Sequence, residues 1–491
     1  MGWMRFTVSP PDRIPEDIAQ LAYLAGPDRI PWRTRTRWAD GRLVLERSVA
    51  EAAVLHIPWE VRGRGLVTLT TGTLSERAAP YHLPLELARG KVGQVRNQLA
   101  EWRTAGLEVP AAVQQKCAEA VRLLGRAAVG DRGCPRSVEA ADQCLGVALE
   151  AAELLAVAYT EQALAVRRRQ SSRPQTLLGA DLGPLPPDEY VGGKYLQAFN
   201  AALVPMTWKD VEAAEGAYSW DVADRQVQWC RDHGLAAYAG PLVQLDARSI
   251  PDWLHLCEGD FDSLLSFALE FVEAVVRRYR GKIDAWIAAG RMNTADALSL
   301  AEEEKIKLAA RAVELARSCD ADAQILISFD QPWGEYLSHK EHDFPPLHFA
   351  DALLRAGLGL TGLALEINLG YWPEGTLPRD LVDFGQQIDY WSCLDVPLVV
   401  ALAVPSRSDF DPLSQRPATP LTEAWTPAAQ QAWVSRYVPL LLAKASVQGV
   451  FWNQLRDFQP HAFPHGGLFD LRRHPKPALQ ELAAIRQTHL R

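Results

Sequence analysis

The feature that most constrains the fold is an alternation of short apolar runs with longer amphipathic segments through residues 174–491. The apolar runs have the length of buried strands, and the segments between them have the length and periodicity of helices. Such an alternation predicts parallel strands joined by helices. The eight predicted strands are 177–180, 199–204, 235–240, 283–289, 324–329, 362–368, 396–404 and 448–453.

Eight strand and helix units make one complete (β/α)8 TIM barrel, so we predict an α/β fold over residues 174–491. Active sites of such barrels lie where the strands end, and Trp, Asp, Asn and Gln side chains follow several of these runs. The segment 283–293, IDAWIAAGRMN, is a strand of this kind that ends in Arg291. We therefore expect the functional residues among those that close the strands.

The residues before the barrel show two other periodicities. Residues 1–86 contain short alternating segments and an Asp40-Gly41 turn, which predict a hairpin within a small, sandwich-like β region. Residues 87–173 are helical in pattern and end in a linker, with helices predicted at about 86–105, 110–128 and 136–169.

Three tryptophans of the β region leave two interpretations open. Trp32, Trp38 and Trp59 either pack in the interior, which is the commoner role of large aromatic side chains, or form the stacking surface of a carbohydrate-binding module. We favour packing.

Charge and cysteine content exclude several classes of protein. Residues 1–173 carry 24 Lys and Arg against 19 Asp and Glu, whereas residues 174–491 carry 27 against 41, which argues against nucleic acid as a partner of the barrel. No apolar run reaches about 18 residues, so we predict no membrane span. The start lacks the apolar stretch of a secretory signal, and the 7 cysteines are scattered, so we expect a reduced cytoplasmic location and no zinc site.

Residues 199–235 carry the most specific pattern of the chain. The pattern consists of Phe199, Asn200, Met206, Trp208, Glu212, Gly216, Tyr218, Ala223, Asp224 and Trp229. With later matches such as 250–254 and 476–478, it resembles glycoside hydrolase family 10, the endo-β-1,4-xylanases, over nearly all of residues 174–491. The resemblance implies a TIM barrel that hydrolyses β-1,4-linked sugars with two catalytic glutamates.

The positions that resemble the family's two glutamates hold other residues. The resemblance places the general acid/base on Arg291 and the nucleophile on Leu402. An arginine does not deliver a proton near neutral pH, and a leucine cannot form a glycosyl ester. We therefore expect no hydrolysis by the family's route and assign no catalytic residue.

Polar and aromatic residues near the strand ends are the candidate substrate-binding residues. They are Trp208, Asp246, Arg291, Asn293, Asp330, Glu366, Asn368, Trp452 and Asp457. Either Glu366 or Asp330 pairs with Arg291 across the barrel mouth, which we favour because a buried arginine needs a partner, or these carboxylates form a relocated acid/base pair. Trp208 and Trp452 either stack on sugar rings or close the barrel. His461 and His465 lack an accompanying His or Cys cluster, so we predict no metal and no cofactor.

Three functions follow as alternatives. The first is a non-catalytic barrel that binds a carbohydrate or a protein partner, with the helices of residues 87–173 as an interaction module. The second is an active glycoside hydrolase with relocated carboxylates. The third is a purely structural assembly protein.

Overall fold

The computed structural model describes residues 2–10, 13–129, 134–170, 176–340, 342, 344–416, 419–422 and 424–490. The chain forms two compact units, of which the first contains Met1–Arg169, Trp333–His342 and Leu377–Tyr390. The second contains Gln170–Pro332, Asp343–Thr376 and Trp391–Arg491. A single boundary near residue 174 therefore does not describe the units, because two later segments belong to the first one.

The first unit contains two four-stranded sheets. Their strands are β1 (Gly2–Thr7), β2 (Tyr23–Ala25), β3 (Pro31–Trp32), β4 (Thr34–Ala39), β5 (Arg42–Arg47), β6 (Val54–Val61), β7 (Gly65–Thr70) and β8 (Tyr81–His82). The sheet orders are β4-β5-β1-β8 and β3-β2-β6-β7. Asp40 and Gly41 have φ of 51° and 69° in the turn between β4 and β5, as a type I′ hairpin requires, so the predicted hairpin is confirmed.

The first unit also contains four of the helices that the structure describes. They are α1 (Glu16–Gln20), α2 (Leu83–Thr104), α3 (Ala111–Val129) and α4 (Pro135–Gln170). The last three lie close to the predicted helices. Trp59 is buried in the hydrophobic core of this unit, and Trp32 and Trp38 are partly buried and pack against that core. These three tryptophans therefore pack on the core of the unit and do not form an exposed stacking surface.

The second unit contains the barrel. Its strands are β9 (Leu177–Asp181), β10 (Ala201–Val204), β11 (Ala236–Ala239), β12 (Val243–Gln244), β13 (Ala285–Gly290), β14 (Gln324–Asp330), β15 (Gly362–Asn368), β16 (Tyr371–Trp372), β17 (Leu398–Ala403), β18 (Thr419–Pro420) and β19 (Val447–Trp452). Strands β9, β10, β11, β13, β14, β15, β17 and β19 close into a parallel barrel through the pairings β11–β13 and β19–β9. The predicted TIM barrel is confirmed.

Helices connect the barrel strands. They are α5 (Glu189–Ala198), α6 (Trp208–Val211), α7 (Asp221–Asp232), α8 (Phe261–Tyr279), α9 (Glu302–Cys319), α10 (Pro346–Arg355), α11 (Leu381–Trp391), α12 (Pro427–Ala443) and α13 (Pro477–His489), with all of α11 except Trp391 in the first unit. Local sequence fixes their starts: the Asp188 carboxylate accepts from the Val191 N–H at 2.9 Å, and Thr426 accepts from the Ala429 N–H at 3.1 Å.

The barrel interior is filled by a layer of side chains from the strands, including Leu203, Tyr238, Ile287, Val399 and Phe451. Strands such as β15 are buried on both faces, which explains their continuous apolar sequence. The layer forms a floor, so any ligand site must lie above it, at the carboxyl ends of the strands. Among the residues that the structure describes, no helix is both long and apolar enough to span a membrane.

Candidate functional site

A cavity of about 210 Å3 opens at the carboxyl end of the barrel. Polar side chains from the ends of the strands line it, namely Asp181, Gln244, Arg291, Ser328, Glu366 and Asn453. Tyr238, Phe451 and Phe463 contribute apolar wall. Mostly apolar walls with a few polar groups are the usual composition of a small-molecule site.

The ends of β13 and β14 beside the cavity show close packing and unusual backbone angles. A Cβ atom on Gly290 would lie 2.7 Å from the Pro241 side chain and 2.9 Å from the Ser328 Oγ, so only glycine fits at this position. Arg291 and Gln331, each the first residue after a strand, have φ of 54° and 46°. Left-handed backbone costs a residue other than glycine about 1–3 kcal/mol and persists where the surroundings enforce it, often at functional sites.

The Arg291 guanidinium and the Glu366 carboxylate form an ion pair at the centre of the cavity. Arg291 Nε and Nη2 lie 2.8 and 2.6 Å from Glu366 Oε2, and Ser328 Oγ donates to Oε1 at 2.8 Å. The two side chains are 13% and 8% exposed. Burial disfavours the charged arginine, but the charges of Glu366, Asp330 and Asp246 outweigh it and raise the pKa of Arg291 above its ordinary value. Arg291 therefore stays positively charged in the cavity.

A network of amides surrounds this pair. Asn453 Nδ2 lies 3.5 Å from Glu366 Oε2 and 3.1 Å from Asn368 Oδ1. Asn368 in turn donates to Asp330 Oδ1 at 3.3 Å, and Asn293 donates to the Asp330 carbonyl oxygen at 2.7 Å. The network joins side chains at the ends of four barrel strands, β13, β14, β15 and β19, and positions them before any ligand binds.

The acids of the site have different proton affinities. Burial raises the pKa of Asp330 to about 7 and outweighs the lowering effect of Arg291, with the charge of Glu366 adding to the rise. Burial also raises the pKa of Asp181 to about 6, although the Gly183 N–H donates to it. Burial opposes ionisation of Asp246 too, but the nearby charges of Arg291 and Arg248 prevail and lower its pKa. Asp181 and Asp330 can therefore hold a proton near neutral pH.

The structure brings some predicted site residues together and separates others. Asp246, Arg291 and Glu366 line the cavity. Asp330, Asn293 and Asn368 lie behind them in the amide network. The favoured pairing of Arg291 with Glu366 is the one that forms.

Three predicted residues lie away from the cavity. Trp208 is fully buried, stacks on Phe271 with ring centroids 5.2 Å apart, and donates to Glu212 at 2.8 Å. Trp452 is buried and donates to the Gly466 carbonyl oxygen at 2.8 Å. Both tryptophans close the barrel in this arrangement, because their ring faces contact protein.

The third, Asp457, forms a buried ion pair with Lys476, and the Gly467 N–H and the Gln454 side chain also donate to it. Its carboxylate is occupied by the protein and does not line the cavity. His461 and His465 both contact the Asp411 carboxylate, at 3.0 and 3.4 Å. Within the described ranges, no group of three or more His, Cys, Asp or Glu residues is arranged to hold a metal ion.

Several lining residues were not identified from the sequence. Asp181 ends β9 one residue beyond the predicted strand, and Asn453 directly follows β19, so the strand-end position was the available signal for both. Arg248 and Arg416 line the cavity from loops and carry no pattern in the sequence.

The comparisons with known proteins agree with this barrel. Residues 198–299 match the family model described as Glycosyl hydrolase family 10. Endo-1,4-beta-xylanase 3 of Hypocrea jecorina is 25% identical over 166 residues, which are 32% of this chain and 42% of that protein's length. Native xylanase 10B of Thermotoga maritima is structurally similar, with a TM-score of 0.50 at 15% identity over 66% of this chain and 98% of that chain. Residues 198–299 are therefore similar to glycosyl hydrolase family 10, and the barrel shares the fold of the xylanase.

A second solved structure supports the same fold. Xylanase 10B of Thermotoga petrophila in complex with xylobiose superposes with a TM-score of 0.51 at 14% identity, over 66% of this chain and 98% of that chain. At such identity the likeness bears on the fold, and the chain spans 42% of the length of the curated relative that it matches. The function of this barrel depends on the residues of its own site rather than on the shared fold.

The position that the resemblance assigns to the nucleophile lies on β17 and does not face the cavity. Leu402 is fully buried and does not line the cavity, whereas Val399 and Ala401 of the same strand do. Successive residues of a strand face opposite sides, so Ala401 faces the cavity and Leu402 beside it faces away. Neither Leu402 nor Ala401 offers a carboxylate.

Proposed function

We propose that the barrel binds a carbohydrate in its cavity and does not hydrolyse it. The observation that carries this proposal is the Arg291–Glu366 ion pair, in which both oxygens of Glu366 accept hydrogen bonds from protein groups. Glycoside hydrolysis needs one carboxyl that holds a proton and a second carboxylate that attacks the sugar or activates water. Arg291 and Ser328 occupy both oxygens of Glu366 with hydrogen bonds, and Arg291 itself has no proton to give near neutral pH.

The lining supports a carbohydrate as the ligand. Gln244, Ser328 and Asn453 offer hydrogen-bonding groups that suit sugar hydroxyls, and Tyr238 and Phe463 offer aromatic surface that suits the apolar faces of sugar rings. The structural relative from Thermotoga petrophila is described in complex with xylobiose, so short β-1,4-linked xylose chains are the first ligands to test.

One observation favours hydrolysis as a second candidate. Asp181 lines the same cavity and its pKa is raised to about 6, so it retains enough proton to serve as a general acid in mildly acidic solution. In that case Asp181 would assist the leaving group, and a second carboxylate of the cavity, such as Glu366 or Asp246, would activate water or attack the sugar. This is a relocated acid/base pair.

Calorimetric titration with xylotetraose and cellotetraose tests the binding proposal. We expect saturable binding of at least one of them, weakened about two- to tenfold by Asn453→Ala, because a hydrogen bond contributes about 0.5–1.5 kcal/mol. Arg407→Gln is the matched control, since Arg407 is 58% exposed and pairs with Asp409 outside the cavity lining. Absence of heat with both sugars, or equal binding by Asn453→Ala, would contradict the proposal.

Two further predictions remain proposals. A cytoplasmic location would be tested by fractionation of the source cells. A protein partner on the helices of residues 87–173 would be tested by affinity purification of the full chain alongside a variant that lacks charge on the exposed face of α4. Loss of a specific partner in that variant would support an interaction module.

A further inference from the structure

Two arginines on one wall of the cavity have hydrogen-bond donors that the protein does not use. The Arg416 side chain is only 3% exposed, yet its Nε and Nη1 atoms are buried and have no hydrogen-bond partner among the described residues. Arg248 Nη1 is likewise buried and has no hydrogen-bond partner in the described part of the chain. Both residues line the cavity. Arginine stays charged in proteins, so unused guanidinium donors in a buried wall are costly unless a ligand satisfies them.

The carboxylates near these two arginines do not satisfy all of the guanidinium N–H donors. The Glu374 carboxylate lies 3.3 Å from Arg416 Nε without forming a hydrogen bond, and its charge also acts on Arg248. Asp246 lies 4.0 Å from Arg248 Nε but already accepts from Gln244 and Ser249. The charges of Asp246, Glu374 and Asp296 act on Arg248, yet Arg248 Nη1 and the Nε and Nη1 atoms of Arg416 make no hydrogen bond to any of the described residues, so each guanidinium keeps capacity for a further acceptor.

The orientation of Arg416 is fixed before a ligand arrives. Its guanidinium lies 4.8 Å from the centre of the Phe463 ring, which is part of the same cavity wall. When a planar guanidinium packs on an aromatic ring, the N–H groups along its edge keep a fixed direction. The spacing of these N–H groups matches the two oxygens of a carboxylate or phosphate.

We infer that the wall formed by Arg248 and Arg416 binds the carboxylate of an acidic sugar unit on an otherwise neutral carbohydrate. Glu374 shows that a planar carboxylate is accommodated beside Arg416. Asp181, Asp246 and Glu366 lie elsewhere in the cavity and would repel further negative charge, which restricts the ligand to a single acidic group. This inference rests on the proposed carbohydrate-binding function and adds the class of sugar to it.

The test compares xylotriose with a xylotriose that carries one glucuronic acid branch, by calorimetric titration of the full chain. We expect the acidic ligand to bind about 10- to 100-fold more tightly, the range for a hydrogen bond to a charged group. The difference should shrink at high salt. Arg248→Gln and Arg416→Gln should each bring the ratio of the two affinities, acidic over neutral, towards one. The affinity for neutral xylotriose should change less than about threefold, because each variant removes only a contact to the carboxylate.

The controls separate folding from recognition. The Arg248 side chain is 33% exposed, so its variant keeps the test valid if the variant of the more deeply buried Arg416 fails to fold. Arg407→Gln, which removes an exposed charge, should leave the preference unchanged. Free glucuronate and glucose 6-phosphate serve as competitors, and we expect glucuronate to compete better.

The outcomes are distinguishable from those of the proposed function. Equal affinity for the neutral and acidic ligands would overturn the acidic-sugar inference and leave carbohydrate binding intact. Stronger competition by the phosphate would overturn the assignment to a carboxylate. Absence of binding by both oligosaccharides would overturn the inference together with the proposed function.

Discussion

Removal of Arg291 alone should destabilise the barrel strongly, and removal of both partners should not. Arg291→Met leaves the Glu366 carboxylate, 8% exposed, without its cation, and it also removes the charge that offsets Asp330 and Asp246. Breaking a buried ion pair in this way costs about 3–5 kcal/mol. Glu366 keeps its hydrogen bond from Ser328, which places the expected loss near the lower end of that range.

The double variant Arg291→Met/Glu366→Leu should recover most of that loss, because two apolar side chains of similar volume replace both charges. The assay is urea unfolding at pH 6, where Asp330 with its pKa of about 7 is mostly protonated and does not itself need Arg291. Arg311→Met is the control: its pair with Glu314 is about half exposed, so the change should stay within about 0.5 kcal/mol. A single variant as stable as the wild type, or a double variant as unstable as the single one, would refute the reasoning.

Three further predictions test other parts of the structure. The free energy of unfolding should fall between about pH 4 and 7 because native Asp330 holds a proton that the unfolded chain has released, and Asp330→Asn should flatten this fall in urea titrations at several pH values. Trp208→Ala should destabilise the barrel by about 3–5 kcal/mol, seen as a lower Tm, without a selective loss of sugar affinity at temperatures where the variant is folded. In the first unit, Arg379→Met should cost about 3–5 kcal/mol because buried Glu335 loses its cation, whereas Arg355→Met, at an 80% exposed site, should leave the unfolding midpoint unchanged.

The barrel was predictable from the sequence because its signals are local and repeated. Each parallel strand is a continuous apolar run, and each connecting helix carries its own periodicity and cap, as Asp188 shows for α5. The hairpin at Asp40-Gly41 was predictable for the same reason, since the turn requires positive φ at both residues.

The membership of the two units was not predictable, because it depends on contacts between distant parts of the chain. Arg379 lies in the first unit with Glu335 and the Tyr23 hydroxyl, to which it donates at 2.7 and 2.8 Å. Nothing within the segment around residue 379 indicates this partnership. Periodicity therefore placed residues 333–342 and 377–390 with the barrel, and the packing places them elsewhere.

The candidate site was predictable in part. The strand-end rule found Asp246, Arg291 and Glu366, and the need of a buried arginine for a partner predicted their pairing. The same rule does not decide which face a side chain takes: Leu402 faces away from the cavity, whereas Ala401 beside it lines the cavity.

The measurement that tests the central claim most directly is a day-long incubation of the purified chain with xylotetraose at pH 5, 6 and 7, followed by mass spectrometry of the sugars. We expect intact xylotetraose at every pH, from the same protein preparation that binds it in the calorimeter. Release of shorter sugars that increases towards pH 5 and disappears in Asp181→Asn would contradict the account and identify an active hydrolase with a relocated acid.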